Sequence, residues 1–331
     1  SREMPVFPGF LEIIRVVILI ILRSSMLYGE VKMSYIEFFK HPSHLFFYLK
    51  RWGLLDNLSD VAYLKWMYRA YTGEKLNLKT PKTFNEKMQW LKLNNRKPEY
   101  TLMVDKYEGK EYVKKVCGGG VRIIKTLGVW DSFDEINFDL LPDKFVLKTT
   151  HDSGTIVICD NKRILDKASA KKQLEESLKR NFYLYSREWP YKNVRPRILA
   201  EEYMVDEHGD GLKDYKFYCF NGVPKYLYVS QGMNDHKTAR VSFITMNWEK
   251  APFGRADYPE FEALPSKPIK FDKMVSVAKK LSEEQPFLRV DLYEISGEVY
   301  FSELTLFPCG GLMPFVPKEW DRKLGDMIEL S

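Results

Sequence analysis

Cysteine is scarce in this chain: Cys117, Cys159, Cys219 and Cys309 are the four, they lie far apart, and none forms a Cys-x-x-Cys pair. That spacing excludes a zinc knuckle and a disulfide framework, and it fits a reducing cytoplasm. There is no apolar run long enough to span a bilayer, since Val16–Leu22 is bracketed by Glu12, Arg15 and Arg23. With an acidic residue before the run and no small-x-small site after it, a signal peptide is also a poor fit, which leaves a packing helix or an interfacial anchor. Residues 1–33 read as an extension: an amphipathic helix or, if Met33 is a natural start, sequence placed upstream over residues 1–32. Removal of residues 1–32 is expected to spare activity. Repeats and low-complexity tracts are missing too. The net charge of +6 is modest and scattered, so nucleic acid is not indicated, while an acidic membrane surface or a polyanionic substrate stays open.

What is present is a chain of 331 residues, enough for two domains or one domain with lobes. From Ser34 to about Tyr112 apolar residues recur at three and four spacings, as in Phe46 and Leu49 and in Leu64 and Met67, which predicts helices. Thr83 lies three residues before Glu86, a capping-box spacing that starts a helix carrying Met88, Trp90 and Leu91. The block Lys40, His44, Lys50 and Arg51, interleaved with Phe46, Phe47 and Tyr48, reads either as a peripheral membrane surface or as a packing helix with solvated lysines. Residues 34–120 form an α-rich N-terminal region. After Gly118–Gly120 the pattern changes to short strands. Phe145–Thr150 and Thr155–Cys159 predict a hairpin, 167–181 a helix, 197–204, 214–220 and 225–229 strands, and 273–284 a helix before a last hairpin. Residues 121–204 are expected to form a small lobe with a phosphate-binding hairpin, and residues 205–331 a large lobe with a metal site.

In that last hairpin Asp291 sits within Leu288–Tyr293 and Glu303 within Val299–Leu304, each a carboxylate inside an apolar strand. Such a charge is costly unless paired, and on adjacent strands the two can face each other, which suits Mg²⁺ held by one or two carboxylates and substrate phosphates. Arg289 shares a strand face with Asp291; it would stabilise developing charge in group transfer, or form a simple ion pair. Lys148 ends a strand beside the turn His151, Asp152, Ser153 and Gly154. It would place a positive charge on phosphates under a cover of backbone N–H groups, or simply reach solvent. Glu201, Glu202, Tyr203 and Met204 suit a chain crossing between lobes, with backbone for an adenine edge and a carboxylate for an amino or hydroxyl donor. Asp214 and Lys216 share a strand face, one fit for ribose and the other for a terminal phosphate. Cys309 is set aside as a nucleophile, because no Cys-His signature accompanies it.

The ordered set Asp105-Lys106, Phe145-Val146-Leu147-Lys148, Glu201-Glu202-Tyr203-Met204, Asp214-Tyr215-Lys216, Arg289-Val290-Asp291 and Glu303-Leu304-Thr305 resembles the ATP-grasp superfamily. The strings Pro81-Lys82-Thr83-Phe84-Asn85-Glu86-Lys87, Trp90-Leu91-Lys92, Asp105-Lys106-Tyr107 and Asp214-Tyr215-Lys216-Phe217 look like its TupA-like branch, named for teichuronopeptide biosynthesis. The resemblance runs from about Ser34 to the C-terminus. It implies an α+β ATP-grasp fold in which two lobes sandwich ATP, with Lys106 and Lys148 on phosphates, Glu201–Met204 around adenine, Asp214 on ribose, and Mg²⁺ on Asp291 and Glu303. Arg289 and Lys216 would steady an acyl phosphate. Thr305 stands where many relatives carry Asn, and its hydroxyl is a weaker metal ligand.

The resemblance implies a cytoplasmic ATP- and Mg-dependent carboxylate-amine ligase, at the inner face of the membrane if peripheral. Its partners would be an amino acid or amine and a uronic-acid saccharide of a bacterial surface polysaccharide. The alternative is a glycosyltransferase of the same pathway, weakened because no Asp-x-Asp occurs to hold a nucleotide diphosphate through a metal. A third reading, a degenerate binding module, is opposed by the retention of both lysines, Arg289 and both acids. For the acceptor, Lys237, His236, Arg240 and Trp248 read either as an anionic-sugar site or as solvated loop groups.

Overall fold

A computed structural model describes residues 42–205, 212–233 and 238–330. The expectations for residues 1–33, for Lys40, and for His236 and Lys237 fall outside them. Two compact units divide the chain at Leu55 and Asp56. In the first, the described element is α1 (Pro42–Arg51), which buries Phe46 and Leu49 and ends on Lys50 and Arg51; burial lowers Lys50 to about 8.

The second unit holds the remaining elements. Helix α2 (Asp60–Thr72) is capped by Ser59, whose hydroxyl accepts from the Ala62 amide, and stops at left-handed Gly73. Helix α3 (Phe84–Asn94) opens with the expected capping box, Thr83 and Glu86 each bonding the other's backbone N–H. The box starts a helix whose Phe84, Met88 and Leu91 are buried. Asn85 ties this helix to the C-terminal part of the chain, donating to the Met313 carbonyl (2.9 Å) and accepting from the Met313 amide (2.8 Å). Short helix α4 (Glu99–Val104) precedes α5 (Glu108–Cys117). Between them the Asp105 carboxylate accepts from the Tyr107 and Glu108 amides, satisfying donors that a helix start leaves open.

The strands follow: β1 (Arg122–Ile123), β2 (Thr126–Trp130), β3 (Phe145–Thr149), β4 (Ile156–Cys159), then α6 (Lys167–Leu178), α7 (Tyr183–Ser186), β5 (Ile198–Glu202), β6 (Asp214–Phe220), β7 (Val223–Gln231), β8 (Arg240–Thr245), β9 (Gly254–Arg255), α8 (Phe271–Ser282), β10 (Phe287–Ile295), β11 (Glu298–Thr305), β12 (Phe315–Val316) and α9 (Glu319–Asp326). The smaller sheet runs β2-β5-β3-β4, all antiparallel, and the larger β1-β11-β10-β6-β7-β8. β1 departs from the expected lobe division: it runs parallel to β11 in the larger sheet. Each sheet has its own apolar core, Leu147, Ala170, Leu174 and Ile198 for the smaller and Phe217, Met274, Ala278 and Val290 among those of the larger.

Candidate functional site

On the smaller sheet, Lys148 lies in register with Ile156 and Leu199, and Val146 with Ile158 and Glu201. Alternate strand residues share a side, so Lys148, Glu201, Ile156 and Ile158 occupy one face. Glu201 is buried and held by two lysines: Lys148 Nζ lies 2.7 Å from Oε2 and Lys110 Nζ 2.5 Å from Oε1. Burial would raise its pKa, but the two ammonium groups outweigh burial and keep the carboxyl below its usual range. Lys110, which the sequence reading missed, also donates to the Ile124 carbonyl and the Thr126 hydroxyl. Ile156 and Ile158 are 40% and 39% exposed, an apolar strip beside a lysine and a carboxylate. Glu202 is exposed, while Tyr203 and Met204 are half-buried and lead to residues outside those described.

The turn after β3 divides the four residues expected as a phosphate cover. His151 is buried, its Nε2 meeting the Ser177 and Arg180 carbonyls at 3.1 and 3.2 Å, and burial depresses its pKa. Asp152 accepts from the hydroxyls of Thr149 (2.6 Å), Ser177 (2.6 Å) and Thr155, so both residues shape the turn from inside. Ser153 and Gly154 remain on the exposed rim. Lys106 reaches this turn from α4–α5, bonding the carbonyls of Thr149 (2.8 Å) and Asp152.

On the larger sheet, Asp291 is in register with Lys216 on one side and Glu303 on the other, and Arg289 with Thr305. An irregularity of the β10–β11 ladder follows Asp291, where Leu292 pairs with Phe301. Asp291 is fully buried; Arg289 grips it with Nε on Oδ1 and a terminal nitrogen on Oδ2, both at 2.7 Å, and Lys216 Nζ also lies 2.7 Å from Oδ2. Burial raises the Asp291 pKa in spite of these partners. Glu303 accepts from Arg289 (2.6 Å) and from the Thr305 hydroxyl (3.3 Å) through the same oxygen. Its side chain keeps 42% of its accessibility, so the upward push of burial is partial. Arg289, Lys216 and Lys106 prevail and lower it to about 2. Asp214 lies 3.4 Å from Lys216. Lys106, between α4 and α5, lies within electrostatic reach of both Glu303 and Lys148, and burial lowers its pKa.

A second set escaped the sequence reading. Tyr228, opposite Lys216 on β7, is buried beside Arg289. The Lys92 ammonium is wholly buried, donating to Gln89 Oε1 (3.0 Å) and to the carbonyls of Ser186 (2.8 Å) and Gly310 (2.6 Å). Gln89 in turn donates to the Gly311 carbonyl at 2.7 Å. Only glycine fits at 311: φ is +71°, and a Cβ there would stand 2.5 Å from Gln89 Nε2 and 2.6 Å from Met88 Cβ. The Trp90-Leu91-Lys92 string was the one signal that could have found this contact. Trp248, read as part of an anionic-sugar site or as a solvated loop group, packs edge-on against Phe271 and donates to the Pro265 carbonyl. Arg240 lies on β8. Cys309 is exposed, with an Arg255 nitrogen 3.6 Å from its sulfur.

Asp291, Glu303 and Thr305 adjoin one another, and no group of three or more His, Cys, Asp or Glu placed to hold a metal occurs among the described residues. Two adjacent carboxylates meet the requirement of Mg²⁺, which takes one or two and fills its other positions with phosphate oxygens and water.

Two antiparallel-rich sheets with helices, Lys148 and Glu201 paired on one and a carboxylate–arginine array on the other, make this an α+β protein of the ATP-grasp fold. The pattern of the TupA-like ATP-grasp family matches residues 86–329, and the chain belongs to that family. Solved structures similar to it include D-alanine–D-alanine ligase from Bacillus anthracis complexed with ATP, at 16% identity over 69% of this chain and 63% of that one, TM-score 0.38. The same enzyme from Helicobacter pylori is 15% identical over 70% and 60%, TM-score 0.39. Carboxyaminoimidazole ribonucleotide synthase from Aspergillus clavatus, complexed with ATP, is 10% identical over 62% and 44%, TM-score 0.38. The chain thus spans less than two thirds of the length of each of these three. Likeness at this level bears on no substrate. No curated protein matches the chain.

Proposed function

We propose that this protein is an ATP- and Mg²⁺-dependent ligase that joins a carboxylate to an amine through an acyl phosphate. The observation that carries the reading is the array Lys216, Arg289, Asp291 and Glu303 on three adjacent strands, with Lys106 in electrostatic reach of Glu303. Lys106 and Lys148 would hold phosphate oxygens, and Ile156 and Ile158 would cover an apolar base. Asp214 would accept from a ribose hydroxyl, and Glu201–Met204 would border the adenine. Asp291, Glu303 and Thr305 would hold the metal, which when bound supplies charge neutralisation between phosphates. Arg289 and Lys216 would steady the negative charge that develops as the acyl phosphate forms and breaks. The amine is an amino acid and the carboxylate a uronic-acid sugar of a bacterial surface polysaccharide, a substrate class that rests on the family's name. Residues 34–120, 121–204 and 205–331 would serve as the α-rich region, the small lobe and the large lobe, except that Arg122–Ile123 joins the larger sheet. We place the reaction in the cytoplasm, at the inner membrane face if the protein is peripheral. Among the described residues no helix is long and apolar enough to cross a membrane.

A ligand that binds only the folded state raises the apparent melting temperature. Mg-ATP should stabilise the protein and a panel of UDP-sugars should not, and uronic acids with amino acids should then release ADP. Stabilisation by a UDP-sugar alone would overturn the reading in favour of glycosyl transfer.

A further inference from the structure

One guanidinium over the larger sheet has no part in that scheme. Arg255 sits on β9 in register with Phe315 of β12, and the amide of Ala256 donates to the Pro314 carbonyl at 2.9 Å, so the backbone beneath the side chain is fixed. The side chain itself is 8% exposed. Its Nε and Nη2 bond the two carboxylate oxygens of Asp257 at 2.9 and 2.6 Å. The guanidinium carbon lies 5.7 Å from the ring centroid of Tyr228 and 5.0 Å from that of Tyr258. Asp257 and the two rings therefore hold the group in one orientation.

Tyr228 ties Arg255 to the array on β6, β10 and β11. It stands opposite Lys216 in register and so on the same face of the larger sheet. Its hydroxyl accepts from Arg289 Nη1 at 3.5 Å, and the Arg289 guanidinium carbon is 6.0 Å from its ring. Two guanidinium groups thus share one buried ring. They differ in what they hold: Arg289 is committed to Asp291 and Glu303, whereas Arg255 has an edge to spare. Beyond Asp257, its one neighbour is the sulfur of Cys309, 3.6 Å from Nη2, and a thiol is a weak acceptor. Cys309 is exposed, and Nη1 bonds nothing among the described residues yet is not sealed from solvent. The Nη1–Nη2 edge is therefore an accessible fork of the kind that takes both oxygens of a carboxylate.

We propose that Arg255 binds the carboxylate of the incoming amino acid, so that the protein selects an amine carrying a carboxylate and rejects a neutral one. The inference rests on the ligase reading above. In that reading the carboxyl of the uronic sugar is the one consumed, and Arg289 and Lys216 steady it as the acyl phosphate. An α-amino acid reacts through its nitrogen and keeps its own carboxylate, a single carbon away from that nitrogen. A non-reacting anion beside the reacting group is what a second guanidinium on the same sheet face can read. A neutral amine would leave the Arg255 fork with only the thiol, and a site built to pair a polar group discriminates strongly against an analogue that lacks the partner.

The test compares each common amino acid with its own carboxamide, which keeps the amine and lacks the carboxylate. The full chain is incubated with Mg-ATP, a panel of uronic acids and each amine, and ADP release is measured for wild type and Arg255→Gln. We expect the wild type to favour the acid over the carboxamide, and Arg255→Gln to raise KM for the amino acid roughly tenfold to a hundredfold. The variant should narrow the gap between acid and carboxamide while KM for ATP stays as in the wild type. A wild type that takes carboxamides as readily as acids overturns the assignment whatever the variant does. A variant that keeps the full preference overturns it too, and an equal rise in KM for ATP would make Arg255 merely structural. Hydroxylamine, a nucleophile without a carboxylate, tells this failure from that of the ligase reading. Wild-type hydroxamate formation without turnover of any amino acid overturns the Arg255 assignment alone; absence of hydroxamate and of ADP release overturns the ligase reading and the assignment with it.

Discussion

Lys216 and Asp291 stand in register on neighbouring strands and meet at 2.7 Å, and the oxygen of Asp291 that Lys216 touches is also gripped by Arg289. Two cations thus converge on one fully buried carboxylate. From sequence, replacing Asp291 by Asn is expected to abolish ATP turnover and leave the fold intact. The geometry changes the second half: Asp291→Asn leaves Lys216 and Arg289 with an uncharged partner in a buried setting, and removing one partner of such a pair costs about 3–5 kcal/mol. We predict loss of Mg-dependent ATP turnover together with a lower melting temperature. An unchanged melt would show that solvent or Glu303 compensates the cations.

Lys148→Ala should act differently, because Glu201 keeps Lys110 at 2.5 Å. Loss of one charge-assisted hydrogen bond to phosphate, worth about 1.5–3 kcal/mol, predicts a rise of roughly tenfold to a hundredfold in the apparent KM for ATP, with little change in stability. Unaltered nucleotide affinity would remove Lys148 from the phosphate grip.

Gly311→Ala forces a methyl group against Gln89 and Met88 at a left-handed backbone position. Chemical denaturation should show a loss of about 2–4 kcal/mol. A neutral result would mean that α3 and the loop after β11 move apart without cost.

Asp321 is lifted to about 6, by burial first and in spite of hydrogen bonds from Asn85. An acid raised above its unfolded value binds its proton more tightly when folded, so its contribution is full below the unfolded pKa of 3.8 and is lost as pH rises through 6. Asp321→Asn, which cannot ionise, should flatten the stability profile across that window and relieve roughly 2–3 kcal/mol at neutral pH, less whatever solvent screening removes. Parallel melts at pH 4 and 7 would measure it, and equal slopes for variant and wild type would refute it.

Glu303 runs the opposite way. Its carboxyl is depressed to about 2 in the folded protein by Arg289, Lys216 and Lys106 acting against burial, so its contribution is present above the unfolded value of 4.5 and fades as pH falls toward 2. Glu303→Gln should be less stable than wild type at pH 7, with the gap closing in acid; a constant gap would mean the loss is one of packing.

Much of the site was legible because strand periodicity puts alternate residues on one face. Arg289 and Asp291, and Asp214 and Lys216, could be paired from spacing alone, and the capping box at Thr83 marked the start of α3 where it occurs. Helix ends were less accurate: the helix expected over 167–181 stops at Leu178, where α6 meets the His151 ring through the Ser177 carbonyl. His151 and Asp152 were expected to lend backbone N–H groups to a phosphate cover, and a polar turn tip gives no sign that their side chains fold inward.

By itself the sequence determined the family, the strand that carries each acid, and the local caps, because these depend on residue type and short spacing. Tertiary structure decided which charges meet. Lys110 with Glu201, Lys106 with the turn after β3, and Lys92 with Ser186 and Gly310 join residues tens to hundreds of positions apart. No period in the chain encodes such a contact; it exists because packing two sheets and α3 leaves each buried ammonium group one set of oxygens within reach, and an unpaired charge there would be too costly to keep.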